Sequence, residues 1–517
     1  VHSAKTRIYQ ILSSFNQIKW SIAIKGVVTG FIVGLLVVLY RLGIDYGTET
    51  SLKIYGFFKT HPLWIFAWLA AAVLVGLLIA YLVKKEPMAT GSGIPQVEGV
   101  VLFGLKMRSY TILGVRFVAG ILGSFFGLSL GREGPSIQIG AAGGHALAKR
   151  WSKNPLEEKY LITGGAAAGL SAAFNAPLSG MVFALEEVHR SFSPIILLSA
   201  TAASLSADFV SEYFFGLKPV LNFTTIPQLP LQFYLLLLPL GILSGLIGST
   251  MNKMLLGFQA LFRKLPAFCR PMIAILIALP CGIFLPLTLG SGQNLIGFAE
   301  SVQTGITMLL LLLVVKMLFT GTSFGSGFPG GIFMPILTVG TLTGSIFGVA
   351  VSYMGIPASY IPDFAICAMA GALAASVKAP VTAILLTAEM SGTLMHMLPV
   401  AACAFLALLV ADLLKTDPIY EALLERFVEQ NGDALPKQER GGLVEFPVEI
   451  GSVVAGNMIS QIAWPKNSLV VGIRRGTRET VPKGDTRVMP GDYLVILSSD
   501  ENEDDIRKQM IGLCHTK

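Results

Sequence analysis

GLSAAFNAPLSGMVFALEE (residues 169–187) and ALAASVKAPVTAILLTAEM (residues 372–390) are two apolar stretches, each broken by an Ala-Pro pair. With Pro177 laid on Pro380, an offset of 203 residues, Leu170 falls on Leu373, Ala172 on Ala375 and Glu186 on Glu389. Upstream, GPSIQIG (residues 134–140) lies opposite MPILTVG (residues 334–340) at nearly the same offset. The chain therefore reads as two related halves with helices interrupted at matching positions. That pattern describes many secondary transporters, whose site lies between the halves near the bilayer midplane. An inverted relation between the halves is expected on the same grounds.

Composition supports a membrane solvent. Of 517 residues, 53% are hydrophobic and only 13% charged, too few charges to cover the surface of a soluble protein of this length. Apolar runs recur at residues 27–42, 63–83, 195–207, 233–247, 273–287, 308–319 and 398–414, several near the roughly 20 residues that span a bilayer. Between them, Gly and Pro interrupt the chain at residues 91–95, 131–135, 175–177, 325–335 and 378–380. Broken helices are tolerated in a membrane only where the freed backbone is buried in protein or lines a cavity. Five breaks in one bundle therefore point to a binding site.

Other function classes have little support. No basic stripe with interleaved aromatics suggests nucleic acid, despite a net charge of +7. The five cysteines form no CxxC pair and the six histidines show no ligand spacing, so no metal or cofactor is expected. No nucleophile–base pair appears, so the chain is not read as an enzyme. The first apolar run lacks a small-residue cleavage site and does not read as a signal peptide.

After residue 414 the character changes. An amphipathic stretch runs to about residue 430, and a polar linker, NGDALPKQERGG, fills residues 431–442. Residues 443–517 read as a soluble α+β module, with strands at 445–450, 468–475, 479–481 and 492–498 and helices at 453–462 and 502–511. The fold class is thus an all-α polytopic membrane domain (residues 1–430, halves at roughly 20–215 and 230–428) with a small α+β tail.

Four motifs carry the chemistry: GSGIP (residues 91–95), GREGP (131–135), GSGFPGGIFMP (325–335) and PIY (418–420). Small residues let a backbone approach a ligand, and a helix beginning at the proline points free N–H groups and its positive end at an anion. Packing alone explains any one such break. Three together describe a site that holds an anion without a full positive charge and releases it quickly. Glu133 is a carboxylate within an apolar segment, at the place an anion would occupy. An intramembrane ionisable group is a functional hypothesis by default, set against a helix-capping acid or a pair with Arg132. Glu187 follows an apolar helix and is suited to carrying protons to or from Glu133, against the alternative of an interfacial helix-end charge. Glu186 beside it reads as structural, and Glu98 with Arg116 as a buried pair.

GSGIP, GREGP, GGIFMP and the late tyrosine, in this order, resemble the signature of the CLC family of chloride channels and antiporters, over about residues 27–427. The resemblance implies a homodimer with one ion pathway per subunit and an inverted-repeat fold. It implies that Ser92 and Tyr420 are hydroxyl ligands of a central chloride site, with backbone amides of Ile332 and Phe333 as donors and Gly93 beside them. Arg132, Glu133 and Gly134 would surround an outer site. Glu133 matches the family's gating glutamate and Glu187 its internal proton glutamate. Antiporters usually keep both, whereas channels usually lack the internal one, so chloride–proton exchange is expected. The alternatives are a passive voltage- or ligand-gated chloride channel and, in a different class, a membrane sensor.

LVVGIRRG…VPKGDTRVMPGDYLVIL (residues 469–497) resembles the RCK C-terminal, or TrkA-C, domain. That implies dimerisation and a small regulator, in some cases a cyclic dinucleotide. Arg474 and Arg475 are candidates for its phosphate, against a solvated surface or a stabilising dimer clip. Basic residues Lys5, Arg7, Lys19 and Lys25 and the soluble tail place both termini in the cytoplasm, and the tail type suggests a prokaryotic cell membrane.

Overall fold

The computed structural model describes residues 2–152, 155–217, 219–221, 229–299, 305–392, 394–431, 442–449, 451–466, 468–475, 478–498, 509–510 and 512–514, with side chains described from Lys19 onward except at 442–444, 478 and 479. The chain divides into two compact units, Val1–Asn431 and Gly432–Lys517.

The larger unit is helical. Its first half comprises α1 (His2–Phe58), α2 (Trp64–Lys85), α3 (Ile94–Phe103), α4 (Ser109–Phe125), α5 (Glu133–Trp151), α6 (Pro155–Phe174), α7 (Pro177–Phe183) and α8 (Pro194–Phe215). The second comprises α9 (Leu237–Arg263), α10 (Cys269–Phe284), α11 (Gln293–Ala299), α12 (Ile306–Gly325), α13 (Phe333–Ser352), α14 (Ile361–Val377), α15 (Pro380–Ser391) and α16 (Met397–Leu413), and α17 (Ile419–Asn431) closes the unit. The two lists correspond element for element, including a 3-10 turn before α3 (Pro87–Ala89) and before α11 (Pro286–Thr288). Among the described residues, seven helical spans are long and apolar enough to cross a membrane.

Each sequence break is a helix start. Pro95, Pro135, Pro177, Pro335 and Pro380 all stand in the first turn of a helix, where the missing N–H has no carbonyl to find and the fixed φ suits the helix. Two helix pairs bring the broken segments deep into the protein. α5 crosses α6 at Gly140 and Gly144, where an added Cβ would lie 2.1 Å from the Gly165 carbonyl oxygen and 2.3 Å from that of Leu161. In the second half, α13 crosses α14 at Gly340 and Gly344, where a Cβ would lie 2.7 Å from the Ala368 oxygen and 2.2 Å from that of Phe364. Both are glycines four apart, the spacing that lets membrane helices touch backbone to backbone.

The smaller unit is built on an antiparallel sheet of β1 (Gly442–Pro447), β2 (Ser468–Arg475), β3 (Arg478–Thr480) and β4 (Tyr493–Ser498), in the order β1-β4-β2-β3. Phe446, Ile473, Leu494 and Ile496 face a core shared with Val454, Val488, Met510 and Cys514. The strand expectations hold to within a few residues, whereas the expected helix at 453–462 does not form. Gly456 takes φ 82° there, which ends any right-handed run, and its N–H goes to the Val488 carbonyl. Only a 3-10 turn, Ile459–Gln461, remains. The linker at residues 431–442 and the expected helix at 502–511 fall mostly outside the described residues.

Gly140→Val forces α5 off α6 and removes the well-folded protein, because overpacking against backbone has no side chain to yield. Size-exclusion chromatography in detergent is expected to show loss of the monodisperse species. Gly114→Val, where nothing lies within 4 Å of an added Cβ, is expected to leave it intact.

Candidate ion pathway

Three glycine motifs from different parts of the chain meet at one seam. Gly131 and Gly331 form an isolated antiparallel bridge, each donating its N–H to the other's carbonyl at 2.7 Å. Gly330 donates to the Gly91 carbonyl at 3.0 Å, which brings in the first motif. Gly134 packs so closely on Ser92 that a Cβ would lie 2.6 Å from both its carbonyl and its hydroxyl oxygen. α3, α5 and α13 therefore begin at one buried point. Helix starts leave N–H groups without intrahelical partners, and these face the seam.

Side chains complete it. Ser92 and Tyr420 are buried with their hydroxyls beside one another, and among the described residues neither makes a well-formed hydrogen bond. Ile332 and Phe333 lie buried at the start of α13, with the Phe333 ring against Phe174 and Phe183. Glu133 is the first residue of α5. Its carboxylate lies near the N–H groups of Glu133 and Met334, and one oxygen, turned toward Gly131, has no partner among the described residues. The carboxylate thus occupies the gap between the starts of α5 and α13. Glu187 sits in a π-helical turn, Ala184–Val188, buried and with one oxygen unpaired among the described residues. Glu187 and Glu133 both lie within electrostatic reach of Tyr420.

Arg132 does not pair with Glu133. Its guanidinium is held by Asp45, while Arg41 is held by Asn175 at 2.8 Å and stacks on the Phe215 ring. Arg41, Asp45 and Arg132 line a cavity of about 300 Å³ that reaches Gly290 and Gly330. The expected Glu98–Arg116 pair does not form either. Glu98 pairs with Arg190 at 2.5 Å, and Arg116 binds Gln138 and, at 2.6 Å, the Gly91 carbonyl. The physical reason is Gly91, whose left-handed backbone (φ 60°) accompanies a buried carbonyl that takes Arg116 as a second donor beside the Gly330 N–H.

A counterpart of GSGIP went unread in the sequence. GSGQN (residues 290–294) repeats the left-handed glycines, with Gly290 at φ 64° and Gly292 at φ 104° against 60° and 94° for Gly91 and Gly93. Lys316, 200 residues after Arg116, holds the Gly290 carbonyl at 2.8 Å as Arg116 holds that of Gly91. The GSG tripeptide was the available signal.

Glu186 and Glu389, which the alignment superimposed, cap each other's half. Glu389 accepts from the N–H of Leu178 and Ser179 at the start of α7 (3.0 and 2.7 Å). Glu186 accepts from Val381 and Thr382 at the start of α15 (3.2 and 2.7 Å). The reciprocity of these caps and of the glycine bridge marks a two-fold relation between the halves.

Residues 72–412 match the family model described as voltage gated chloride channel. The chain belongs to this family. Its members are transporters and not enzymes, and this one is a multi-pass membrane protein. Residues 443–511 match the TrkA-C domain, so this CLC protein carries that module at its C-terminus. It is 32% identical over 434 residues to the H(+)/Cl(−) exchange transporter ClcA of Yersinia pestis, covering 81% of this chain and 89% of the relative. To ClcA of Citrobacter koseri it is 33% identical over 436 residues, covering 81% and 92%. Among solved structures it resembles a slow cyanobacterial Cl⁻/H⁺ antiporter, with a TM-score of 0.73, 30% identity and coverage of 80% of this chain and 99% of the other. A CLC-type fluoride/proton antiporter shares the fold (TM-score 0.61, 24% identity, coverage 75% and 95%).

Because the two carboxylate caps of this CLC chain are equivalent, Glu186→Ala and Glu389→Ala are expected to destabilise it similarly, by about 1–2 kcal/mol each. Thermal unfolding in detergent checks this, and markedly unequal losses would contradict the equivalence.

Proposed function

We propose that this protein exchanges chloride for protons across a cell membrane. The observation that carries the reading is the seam about Tyr420: its buried hydroxyl lies beside Ser92 near the helix starts, with two buried carboxylates, Glu187 and Glu133, within electrostatic reach. In this reading Ser92, Tyr420 and the amides of Ile332 and Phe333 hold a dehydrated chloride, with Gly93 supplying close backbone approach. Arg132 and Gly134 flank a second position that the Glu133 carboxylate occupies when ionised. A carboxylate set beside helix-start N–H groups is a stand-in for the anion itself. Protonation removes the charge that holds it there, and Glu133 then yields the position to chloride. Glu187 delivers or collects that proton from the other side of Tyr420, so that anion and proton share the seam and diverge beyond it. The relatives named as H⁺/Cl⁻ exchangers support antiport over passive conduction.

The same proposal takes the protein to be a homodimer with both termini in the cytoplasm of a prokaryote, on the basic residues Lys19 and Lys25 near the start of the membrane unit. It gives the TrkA-C module a regulatory role. A phosphate contact for a cyclic dinucleotide at Arg474 and Arg475 is opposed by their pairing: Arg474 with Glu445 at 2.6 Å, and Arg475 with both oxygens of Asp492 at 2.7 Å. Burial alone raises the Asp492 pKa, but this pairing and the Met489 N–H hold it below the usual carboxylate range.

Purified protein in liposomes under an imposed chloride gradient tests the exchange. Wild-type protein is expected to move protons against their own gradient, and Glu187→Ala to abolish that movement while chloride flux persists. Chloride flux with no proton coupling in the wild type would overturn exchange and leave a channel.

A further inference from the structure

Glu187 is buried, so its protons need a route to water, and its surroundings differ from a bare apolar pocket. The charged groups within electrostatic reach of it are Glu98, Arg190, Glu421 and Glu186. Glu186 is bound to the α15 start and is not free to take part. The other three form a connected set. Arg190 bridges Glu98 of α3, at 2.5 Å, and Glu421 of α17. It reaches them from a left-handed backbone conformation, φ 53°, which a non-glycine residue rarely adopts and which turns the chain sharply after the π-helical turn that carries Glu187. The strained residue and the wide turn together bring Glu187 and its arginine to the same place.

The three carboxylates are graded in exposure. The Glu421 side chain is 39% exposed, that of Glu98 only 1%, and Glu187 is likewise buried. Glu98 and Glu187 each keep one buried oxygen without a partner among the described residues. A buried unpaired carboxylate oxygen is costly, and a proton on it is one way to meet that cost. Three carboxylates around one guanidinium also carry more negative charge than the cation balances, which draws protons into the cluster.

We propose that Glu421 and Glu98 form the inlet of the proton path, passing protons between water beside α17 and Glu187. Each step moves one proton: a carboxyl O–H breaks, another forms on the next carboxylate, and Arg190 stays protonated throughout as a positioning residue. The proposal rests on Glu187 being the internal proton carrier. It adds that the access route is built of side chains from the two segments that also supply Ser92 and Tyr420, so proton access and the anion site are mechanically tied.

The test is proton and chloride flux of full-length protein in liposomes, with Glu421→Gln, Glu421→Asp, Glu98→Gln and Glu187→Gln compared. Glu421→Gln keeps the shape and a hydrogen-bonding oxygen for Arg190 but does not carry a proton. It is expected to lower proton flux by about a hundredfold or more, the scale of losing one positioned proton-transfer group, while chloride flux continues. Glu421→Asp is expected to restore most of the proton flux, and Glu98→Gln, where it folds, to behave as Glu421→Gln does. Wild-type proton flux in Glu421→Gln, with Glu187→Gln uncoupled, overturns the inlet and leaves the role of Glu187 standing. Equal loss in Glu421→Asp and Glu421→Gln also overturns it, since the ion pair's geometry would then matter and not the titratable group. If Glu187→Gln remains fully coupled, the reading on which the inlet rests fails first, and the inlet fails with it.

Discussion

The reciprocal hydrogen bonds between Gly131 and Gly331 are the constraint on which the membrane unit turns. A helix that stops inside a bilayer leaves backbone groups that no lipid can satisfy. Here each half satisfies the other's, through a two-residue bridge small enough to leave the helix starts exposed to the seam. The side chains around it follow. Arg116 and Lys316 are drawn inside by the carbonyls of Gly91 and Gly290, and both cations sit fully buried for that reason. A carboxylate at position 133 is then set close to amides from both halves. Without the bridge, none of these groups has a reason to be where it is.

The same symmetry separates shared parts from functional ones. Caps, glycine crossings and carbonyl-holding cations occur twice, once in each half. Glu133, Glu187 and Tyr420 occur once, whereas Ser92 has Ser291 as its counterpart. The second half has Phe333 where the first has Glu133, and Gln293–Asn294 where the first has Ile94–Pro95. A two-fold scaffold thus supports a pathway whose chemistry is one-sided, with an exposed cavity beside Arg132 and a carboxylate cluster around Arg190 at separate places.

Much of this was legible in the residues because Gly and Pro report backbone directly. All five breaks proved to be helix starts, and the alignment of Glu186 on Glu389 foretold an equivalence, though not the caps. What failed has a common cause. The Glu98–Arg116 pairing was inferred from neighbouring segments, whereas Arg190 arrives through a left-handed turn that no periodicity announces. The helix at residues 453–462 was read from apolar spacing, which Gly456 overrides. GSGQN was passed over because it lacks the proline that marked the others. Local rules found the elements; which backbone carbonyl needs which cation depends on the assembled seam.

The most direct measurement is anomalous diffraction from crystals grown with bromide in place of chloride, comparing wild type with Glu133→Gln. The account requires a bromide peak between the Ser92 and Tyr420 hydroxyls and the amides of Ile332 and Phe333 in both. It also requires a second peak, at the start of α5, in Glu133→Gln alone. No peak at the seam, or a second peak indifferent to Glu133, would contradict it.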